Sequence, residues 1–332
     1  MSDIIEVKNL VEVYSDGTKA VDDISFSVQE KEFFGFLGPN GAGKSTTIKI
    51  LTTLLRKTAG EVNVAGYNLD TDPAAIREII GVQSQDTSVD GDLTGRENLE
   101  LQGHFYQMPT GEIKQRVDEL LRLVGLESAA ERRARNYSGG MKKRLDLATA
   151  MIHKPRLLFL DEPTTGLDPQ SRAAIWDYLQ VLNKEENITI FLTTQYLEEA
   201  DKLCKRMAII DFGKIVATDS PARLKKQIGA DSIRIGLENC DRDRNKAKEI
   251  IKTMTDVTDI KDSEECILVY AQNAASLIAD IVRALDSTDI RLTSVTFSQP
   301  SLDDVFLKYT GRRIRAEELV KAPSATWGGA RR

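Results

Sequence analysis

A parallel α/β domain followed by a smaller α+β domain is the fold class this sequence predicts, and three observations carry the prediction. The apolar stretch Glu32-Phe33-Phe34-Gly35-Phe36-Leu37 runs into a glycine-rich turn and then into a helix that opens at Lys44. Strand, glycine turn and helix in that order form the nucleus of a parallel sheet. Two further short, almost wholly apolar runs, Arg156–Leu160 and Ile188–Leu192, suit interior strands covered on both faces. After Pro221 the pattern changes to β-α-β-β-α-β, the ferredoxin-like order, over about 80 residues, enough for a second core.

Composition agrees with two globular domains. The chain has 332 residues, 41% apolar and 29% charged, against a prior of ~150 residues per domain. Its 45 basic and 51 acidic residues leave a net charge of −6, which argues against a dedicated nucleic-acid binder. Apolar runs fall far short of the ~20 residues of a membrane span. The N-terminus lacks a basic stretch followed by an apolar one, so no secretory signal is expected. Cys204, Cys240 and Cys266 form no CxxC pair, and an odd count argues against a disulfide framework or a zinc site. The expectation is a soluble, cytoplasmic protein.

In chain order, residues 1–37 read as strands and turns, with Asp16-Gly17 marking a turn. From Lys44 to Leu55 the residues Ile48, Leu51, Leu54 and Leu55 recur at helical spacing before Ala59-Gly60. Residues 86–150 read as a mainly helical insert, and Gln115–Val124 carries Val117, Leu120, Leu121 and Val124 on one face. Met207–Asp211 and Lys214–Ala217 form a hairpin around Phe212-Gly213 and close a first domain at 1–226. Strands over 232–237, 257–260, 266–270 and 290–297 and helices over 242–255 and 274–285 give an accessory domain at 230–310. It ends in a short helix that Ser301 caps and Asp303 and Asp304 favour in the first turn. The tail 311–332 is basic, ends in small residues and is expected to be flexible.

Chemistry is concentrated in three motifs. Gly38-Pro39-Asn40-Gly41-Ala42-Gly43-Lys44-Ser45-Thr46 fits GxxxxGK[ST] between a strand and a helix. A phosphate chain needs inward backbone N–H groups, glycines let the backbone wrap without Cβ clashes, and the helix N-terminus adds partial positive charge. Lys44 would reach the β- and γ-phosphates and the Ser45 hydroxyl would bind Mg²⁺. Second, Leu157-Leu158-Phe159-Leu160-Asp161-Glu162-Pro163 is an apolar strand ending in two carboxylates. It places Asp161 near the metal, directly or through water, and Glu162 where it can polarise a water attacking the γ-phosphate. Third, Tyr137-Ser138-Gly139-Gly140-Met141 precedes a helix, with Ser138 a good N-cap and the glycines making a second anion site.

With Gly166-Leu167-Asp168 after the acidic strand, these motifs stand in the order found in the ATP-binding-cassette ATPases, P-loop NTPases that the chain resembles over residues 4–225. The resemblance implies ATP and Mg²⁺ as ligands and hydrolysis as the activity. It implies that Tyr14 stacks on adenine and that Gln85, in Ile80-Gly81-Val82-Gln83-Ser84-Gln85, lies at Mg²⁺ and the attacking water. Gln83 is the rival by proximity, and the offset from Ile80-Gly81 favours Gln85. It further implies a homodimer in which Ser138, Gly139, Gly140 and Met141 of one subunit close over ATP bound to the other, with Asp168 coupling the two sites.

Two departures matter. The family usually has histidine after the last core strand, contacting the γ-phosphate; here Thr193-Thr194-Gln195-Tyr196 puts Gln195 there, an amide that donates a hydrogen bond but carries no proton or charge. The third motif ends in Met141 rather than glutamine. With the late Pro300-Ser-Leu-Asp-Asp-Val-Phe-Leu307, these features are similar to the daunorubicin-resistance type of drug-export ATPase. That similarity implies a subunit that powers efflux of a drug-like or lipid-like substrate, bound peripherally at the cytoplasmic face of the membrane to a separate permease, with no nucleic-acid partner. A mechanical or regulatory cassette ATPase is the alternative. His104 and His153, the only histidines, have no partner cluster in the sequence that suggests metal or acid–base work.

Overall fold

The computed structural model describes residues 2–228, 231–263, 266–271 and 274–310. The expected flexible tail at 311–332 lies outside the described residues. The chain opens with β1 (Asp3–Val13), β2 (Lys19–Gln29), β3 (Phe33–Leu37), α1 (Lys44–Leu51), β4 (Ala59–Val64), β5 (Tyr67–Asn68), α2 (Pro73–Ile79) and β6 (Ile80–Gln83). The helical insert follows as α3 (Gly95–Phe105), α4 (Thr110–Leu123) and α5 (Gly139–Ala150). Next come β7 (Leu157–Asp161), α6 (Pro169–Lys184), β8 (Thr189–Thr194), α7 (Leu197–Leu203), β9 (Arg206–Asp211), β10 (Lys214–Asp219) and α8 (Pro221–Ile228). The chain continues through β11 (Asp231–Leu237), α9 (Cys240–Lys252), β12 (Val257–Ser263), β13 (Cys266–Ala271), α10 (Ala274–Asp286), β14 (Leu292–Ser298) and α11 (Leu302–Thr310).

The central sheet has the order β10-β9-β3-β8-β7-β6, parallel from β6 through β9 with β10 antiparallel at one edge. Its apolar strands are buried on both faces. Phe33, Leu37, Leu158, Leu160, Ile190 and Leu192 join one core, while the alternating Phe34, Phe36, Leu157, Phe159 and Phe191 join the other. Near-continuous apolar runs are what a strand needs when neither face meets water. On the second face Phe26, Phe34, Phe36, Phe159 and Phe191 stack or tilt against one another with centroids 5.5–6.0 Å apart. That face is covered partly by an antiparallel sheet of order β2-β1-β4-β5. The hairpin between β9 and β10 turns on Phe212 at φ 46° and Gly213 at φ 75°, the two left-handed residues that match the strand twist.

The expected helix over Lys44–Leu55 is shorter in the structure. It ends at Leu51, where the Thr52 hydroxyl donates to the Ile48 carbonyl at 2.8 Å and Thr53 turns to φ 65°. Leu54 is consequently 67% exposed rather than part of the helix's core face.

The accessory sheet has the all-antiparallel order β12-β13-β11-β14, which the β-α-β-β-α-β connection produces when each helix crosses over one intervening strand. Its own core gathers Ile233, Ile235, Ile267, Val269, Ile281 and Leu285. The helix α11 does not belong to that core. Leu302, Val305 and Phe306 join the cassette-side core with Leu224, and the Lys308 ammonium donates to the Gln227 carbonyl at 2.6 Å. Although the odd cysteine count argues against a disulfide framework, Cys240 is disulfide-bonded. Cys204 is free and buried, which pushes its thiol pKa well up. Among the described residues no helix is long and apolar enough to cross a membrane.

Candidate active site

The phosphate loop leaves the C-terminal end of β3, where the Gly38 amide donates to the Thr194 carbonyl of β8 at 3.2 Å. Its turn needs glycine for two reasons. Gly43 caps α1 at φ 107°, and a Cβ there would stand 2.4 Å from the Ala20 carbonyl oxygen. A Cβ on Gly38 would stand 2.4 Å from the Ile210 carbonyl oxygen. Pro39, Asn40 and Gly41 form the outer arc of the loop; Ala42 is buried, and its carbonyl accepts from the Gly213 amide at 3.0 Å. The Lys44 ammonium is 4% exposed and donates back to the carbonyls of Gly38 and Pro39 at 2.7 and 3.1 Å.

Both carboxylates at the end of β7 meet this loop. Asp161 Oδ1 accepts from Ser45 Oγ at 3.2 Å and from Thr193 Oγ1 at 2.5 Å. Glu162 Oε1 lies 3.1 Å from Lys44 Nζ, and Glu162 Oε2 accepts from Thr165 Oγ1 at 3.2 Å. Glu162 itself sits at φ 50°, a left-handed conformation uncommon outside glycine. Its amide, bonded to the Thr193 carbonyl at 3.1 Å, ties that conformation to β8. Strain of this kind collects where structure is built around chemistry.

Lys44, Ser45, Asp161 and Glu162 thus converge. Tyr14 reaches the same helix, its hydroxyl 3.0 Å from Thr46 Oγ1, with its ring 38% exposed. Gln195 is half-buried immediately after β8, one residue beyond the Thr194 carbonyl that holds Gly38. Gln85 is exposed just past β6, and its carbonyl accepts from Lys143 Nζ at 2.6 Å. Gln83, the rival, is 2% exposed and turned to α5, donating to the Lys143 carbonyl at 3.2 Å.

The Ser-Gly-Gly-Met motif forms a separate assembly. Ser138 caps α5 by accepting from the Met141 amide at 3.2 Å, and Ser138 and Gly139 are exposed. Gly140 lets α6 approach, since a Cβ there would stand 2.7 Å from Ser171 Oγ. Ser171 also donates from its hydroxyl and its amide to Asp168, at 2.6 and 2.9 Å. These two bonds, the hydroxyl's first, hold the exposed Asp168 carboxyl below its usual pKa. Among the described residues, no hydrogen bond or ion pair joins this assembly to the phosphate loop.

The Ser45 hydroxyl beside the Asp161 carboxylate fits Mg²⁺, an oxygen-seeking ion that keeps several waters and is usually held by one or two protein ligands plus phosphates. Among the described residues no three His, Cys, Asp or Glu side chains converge on a metal position, so the pair and the nucleotide would have to share the ion.

Several residues of this site give no signal in the sequence. Thr193 lies opposite Asp161 in the β7–β8 register. Glu199 is fully buried and accepts from Thr164 Oγ1 and Trp176 Nε1 at 2.8 and 2.9 Å, tying α7 to the loop after Glu162 and to α6. Burial pushes the Glu199 carboxyl pKa up.

The chain matches the family model described as ABC transporter over residues 21–165, and that of the ATP-binding protein DrrA1-3-like C-terminal domain over residues 220–310. It is 40% identical over 307 residues to the daunorubicin/doxorubicin resistance ATP-binding protein DrrA of Streptomyces peucetius, covering 92% of each chain. It is 34% identical to the Nod factor export ATP-binding protein I of Cupriavidus metallidurans, covering 95% of this chain and all of that one. Among solved structures, it is similar to a dimeric ATP-binding cassette in a post-hydrolysis state bound to ADP and Pi. The TM-score is 0.60 at 28% identity, covering 65% of this chain and 98% of that one. Together with the convergent phosphate loop and paired carboxylates, the two family models and the curated relatives, which cover 92–95% of the chain at 34–40% identity, identify it as a member of the ATP-binding-cassette ATPases of ABC transporters, with a C-terminal domain of the DrrA type.

Proposed function

We propose that this chain is the ATP-hydrolysing subunit of an export-type transporter, driving efflux of a drug-like or lipid-like substrate through a separate membrane subunit. It works as a homodimer bound peripherally at the cytoplasmic face of the membrane. The observation that carries the reading is the convergence of Lys44, Ser45, Asp161 and Glu162 beside a phosphate loop. The resistance and export relatives support the direction of transport, and the dimeric cassette supports the pairing.

The loop amides from Gly38 to Thr46 and the N-terminal end of α1 bind the phosphate chain. Lys44 exchanges Glu162 for the β- and γ-phosphate oxygens, and Tyr14 stacks on adenine. Ser45 and Asp161, with Gln85, would hold Mg²⁺, which would offset phosphate charge. Freed of Lys44, Glu162 polarises the water that attacks the γ-phosphorus. The bond to the bridging oxygen breaks, giving ADP and inorganic phosphate. Gln195 donates its amide to the γ-phosphate, and Ser138, Gly139, Gly140, Met141 and Asp168 of the second copy complete the site.

Purifying the tagged full chain from detergent-solubilised membranes tests the reading. The expected result is ATP turnover together with a co-purifying polytopic membrane protein. Recovery with ribosomes or DNA alone overturns it.

A further inference from the structure

The accessory domain carries a covalent cross-link that the nucleotide chemistry does not use. Cys240 is disulfide-bonded and Cys204 is free, so of the three cysteines in the sequence Cys266 is left as the other half of the bond. The span between them holds nearly all of α9 and the whole of β12. As an edge strand, β12 pairs only with β13, while α9 reaches the accessory core through Ala247 and Ile251. The bond therefore closes a loop around one helix and one edge strand, and loop closure stabilises a fold chiefly by restraining the unfolded chain.

Cys240 has the surroundings of a reactive sulfur. It is the first residue of α9, a helix of 13 residues, and so stands at the positive end of the helix dipole. One turn on, Arg244 donates to the Cys240 sulfur from Nη2 at 3.0 Å and from Nε at 3.2 Å. A disulfide sulfur is a weak, neutral acceptor and gains little from such donors. A thiolate, being charged, gains much more. The nearby acids are answered by other cations: Asp243 by Arg242 at 2.8 Å and Asp262 by Lys248 at 2.6 Å, with Arg244 Nη1 3.5 Å from Asp262. Asp241, in the same turn, is exposed. Cys240 is only half-buried, which leaves it within reach of thiols in solution.

We propose that Cys240 is a reversible redox site, the sulfur that leaves when a dithiol reductant opens this disulfide and that attacks when a small disulfide such as oxidised glutathione closes it. This rests on the cytoplasmic location proposed above, because in a reducing compartment a disulfide is usually transient or redox-sensing. In opening, a thiolate of the reductant attacks the Cys266 sulfur and forms a mixed disulfide. The electron pair of the old bond leaves on Cys240 as a thiolate held by Arg244 and α9. The reductant's second thiol displaces Cys266, so the protein gains two thiols and the dithiol becomes a disulfide. In closing, the Cys240 thiolate attacks the small disulfide and one of its thiolates leaves; Cys266 then expels the other. Opening unties α9 and β12 and loosens the accessory domain, while Lys44, Ser45, Asp161 and Glu162 stay in place on the cassette.

The test uses the full-length chain purified in air and its Arg244→Met, Arg244→Lys and Cys240→Ser variants. Peptide mapping of the parent should find Cys240 joined to Cys266; a free Cys240 thiol, or one joined to a second copy, overturns the proposal. After reduction with dithiothreitol, alkylation of Cys240 by iodoacetamide is followed against pH. The parent's midpoint should lie below the ordinary thiol value of about 8.5. It should rise by about 1 pH unit in Arg244→Met and return toward the parent's in Arg244→Lys. Equal midpoints in the parent and Arg244→Met overturn the proposal. Should Arg244→Met not fold, the parent decides: a midpoint below the ordinary value supports the site, and an ordinary one overturns it. Reduction, like Cys240→Ser, should lower the melting temperature of the accessory domain by about 10 °C, with ATP turnover within about twofold of the oxidised protein. Identical melting of the oxidised and reduced forms overturns it. In cells quenched with acid before alkylation, Cys240 should be mainly a thiol and become a disulfide on exposure to diamide. A Cys240 that is wholly disulfide-bonded in untreated cells, with mapping, midpoint and melting as expected, overturns the cytoplasmic location and leaves the redox site supported.

Discussion

Lys44 and Glu162, 118 positions apart in the chain, form a buried ion pair with Nζ 3.1 Å from Oε1. The two groups on which the proposed chemistry most depends therefore neutralise one another across the end of the sheet. On the proposed reading ATP separates them, so that one event delivers the cation to the phosphates and uncovers the carboxylate. Removing one member of a buried pair usually destabilises a fold, but Lys44 keeps the Gly38 and Pro39 carbonyls as acceptors.

Glu162→Gln should accordingly fold and bind Mg-ATP as tightly as the parent or more so. Its turnover should fall by about tenfold or more, with an ATP-bound dimer accumulating on gel filtration. Unimpaired turnover in the purified variant would remove Glu162 from the role of polarising water.

Gln195 follows the β8 residue whose carbonyl holds the first glycine of the phosphate loop. A neutral amide contact is worth about 0.5–1.5 kcal/mol net, against about 1.5–3 for one to a charged group. Gln195→Ala should slow turnover by roughly tenfold with little change in Mg-ATP binding. Gln195→His should retain turnover and add a dependence at about pH 6–7 that the parent lacks. Turnover against pH for all three proteins checks both; an alanine variant equal to the parent confines Gln195 to ending its strand.

Phe306 is fully buried in the cassette-side core although it follows the accessory domain in sequence. Phe306→Ala should destabilise the cassette by about 3–5 kcal/mol. Ile281→Ala, in the accessory core, should leave the cassette transition in place. Truncation after Gln227 removes α11 and uncovers Leu224, so the shortened cassette should melt below the full chain. Denaturant unfolding followed by nucleotide fluorescence distinguishes these, and a truncated cassette as stable as the parent would remove α11 from its place as a strap.

His153 lies under Tyr106, ring centroids 3.7 Å apart, with a ring nitrogen 2.9 Å from the Ile80 carbonyl. Burial lowers its pKa from the ordinary value of about 6.5. The unfolded chain then binds the proton more readily than the folded one, so this contribution is present above about pH 6.5 and is lost as pH falls toward the lower folded value. Stability measured in denaturant from pH 8 to 5 should decline more in the parent than in His153→Gln. Parallel curves would show that His153 is not a source of the acid sensitivity.

The sequence by itself determined the fold class and the chemistry-bearing motifs, because both are written in local patterns. The apolar runs Phe33–Leu37, Leu157–Leu160 and Ile188–Leu192 have few homes other than a doubly covered sheet, and Gly38–Thr46 has the spacing a phosphate chain requires. Asp161 and Glu162 were legible because they end such a run. Only the tertiary structure decided which groups meet: Thr193 opposite Asp161, Glu199 beneath Thr164 and Trp176, Asp146 under Ser88, and α11 on the cassette instead of beside β14. Each of those relationships depends on strand order or helix packing, in which a one-residue change of register or a different neighbour substitutes one partner for another. The left-handed backbone of Glu162 belongs with them. No residue preference forecasts it, since it is imposed by the bond between its amide and the next strand.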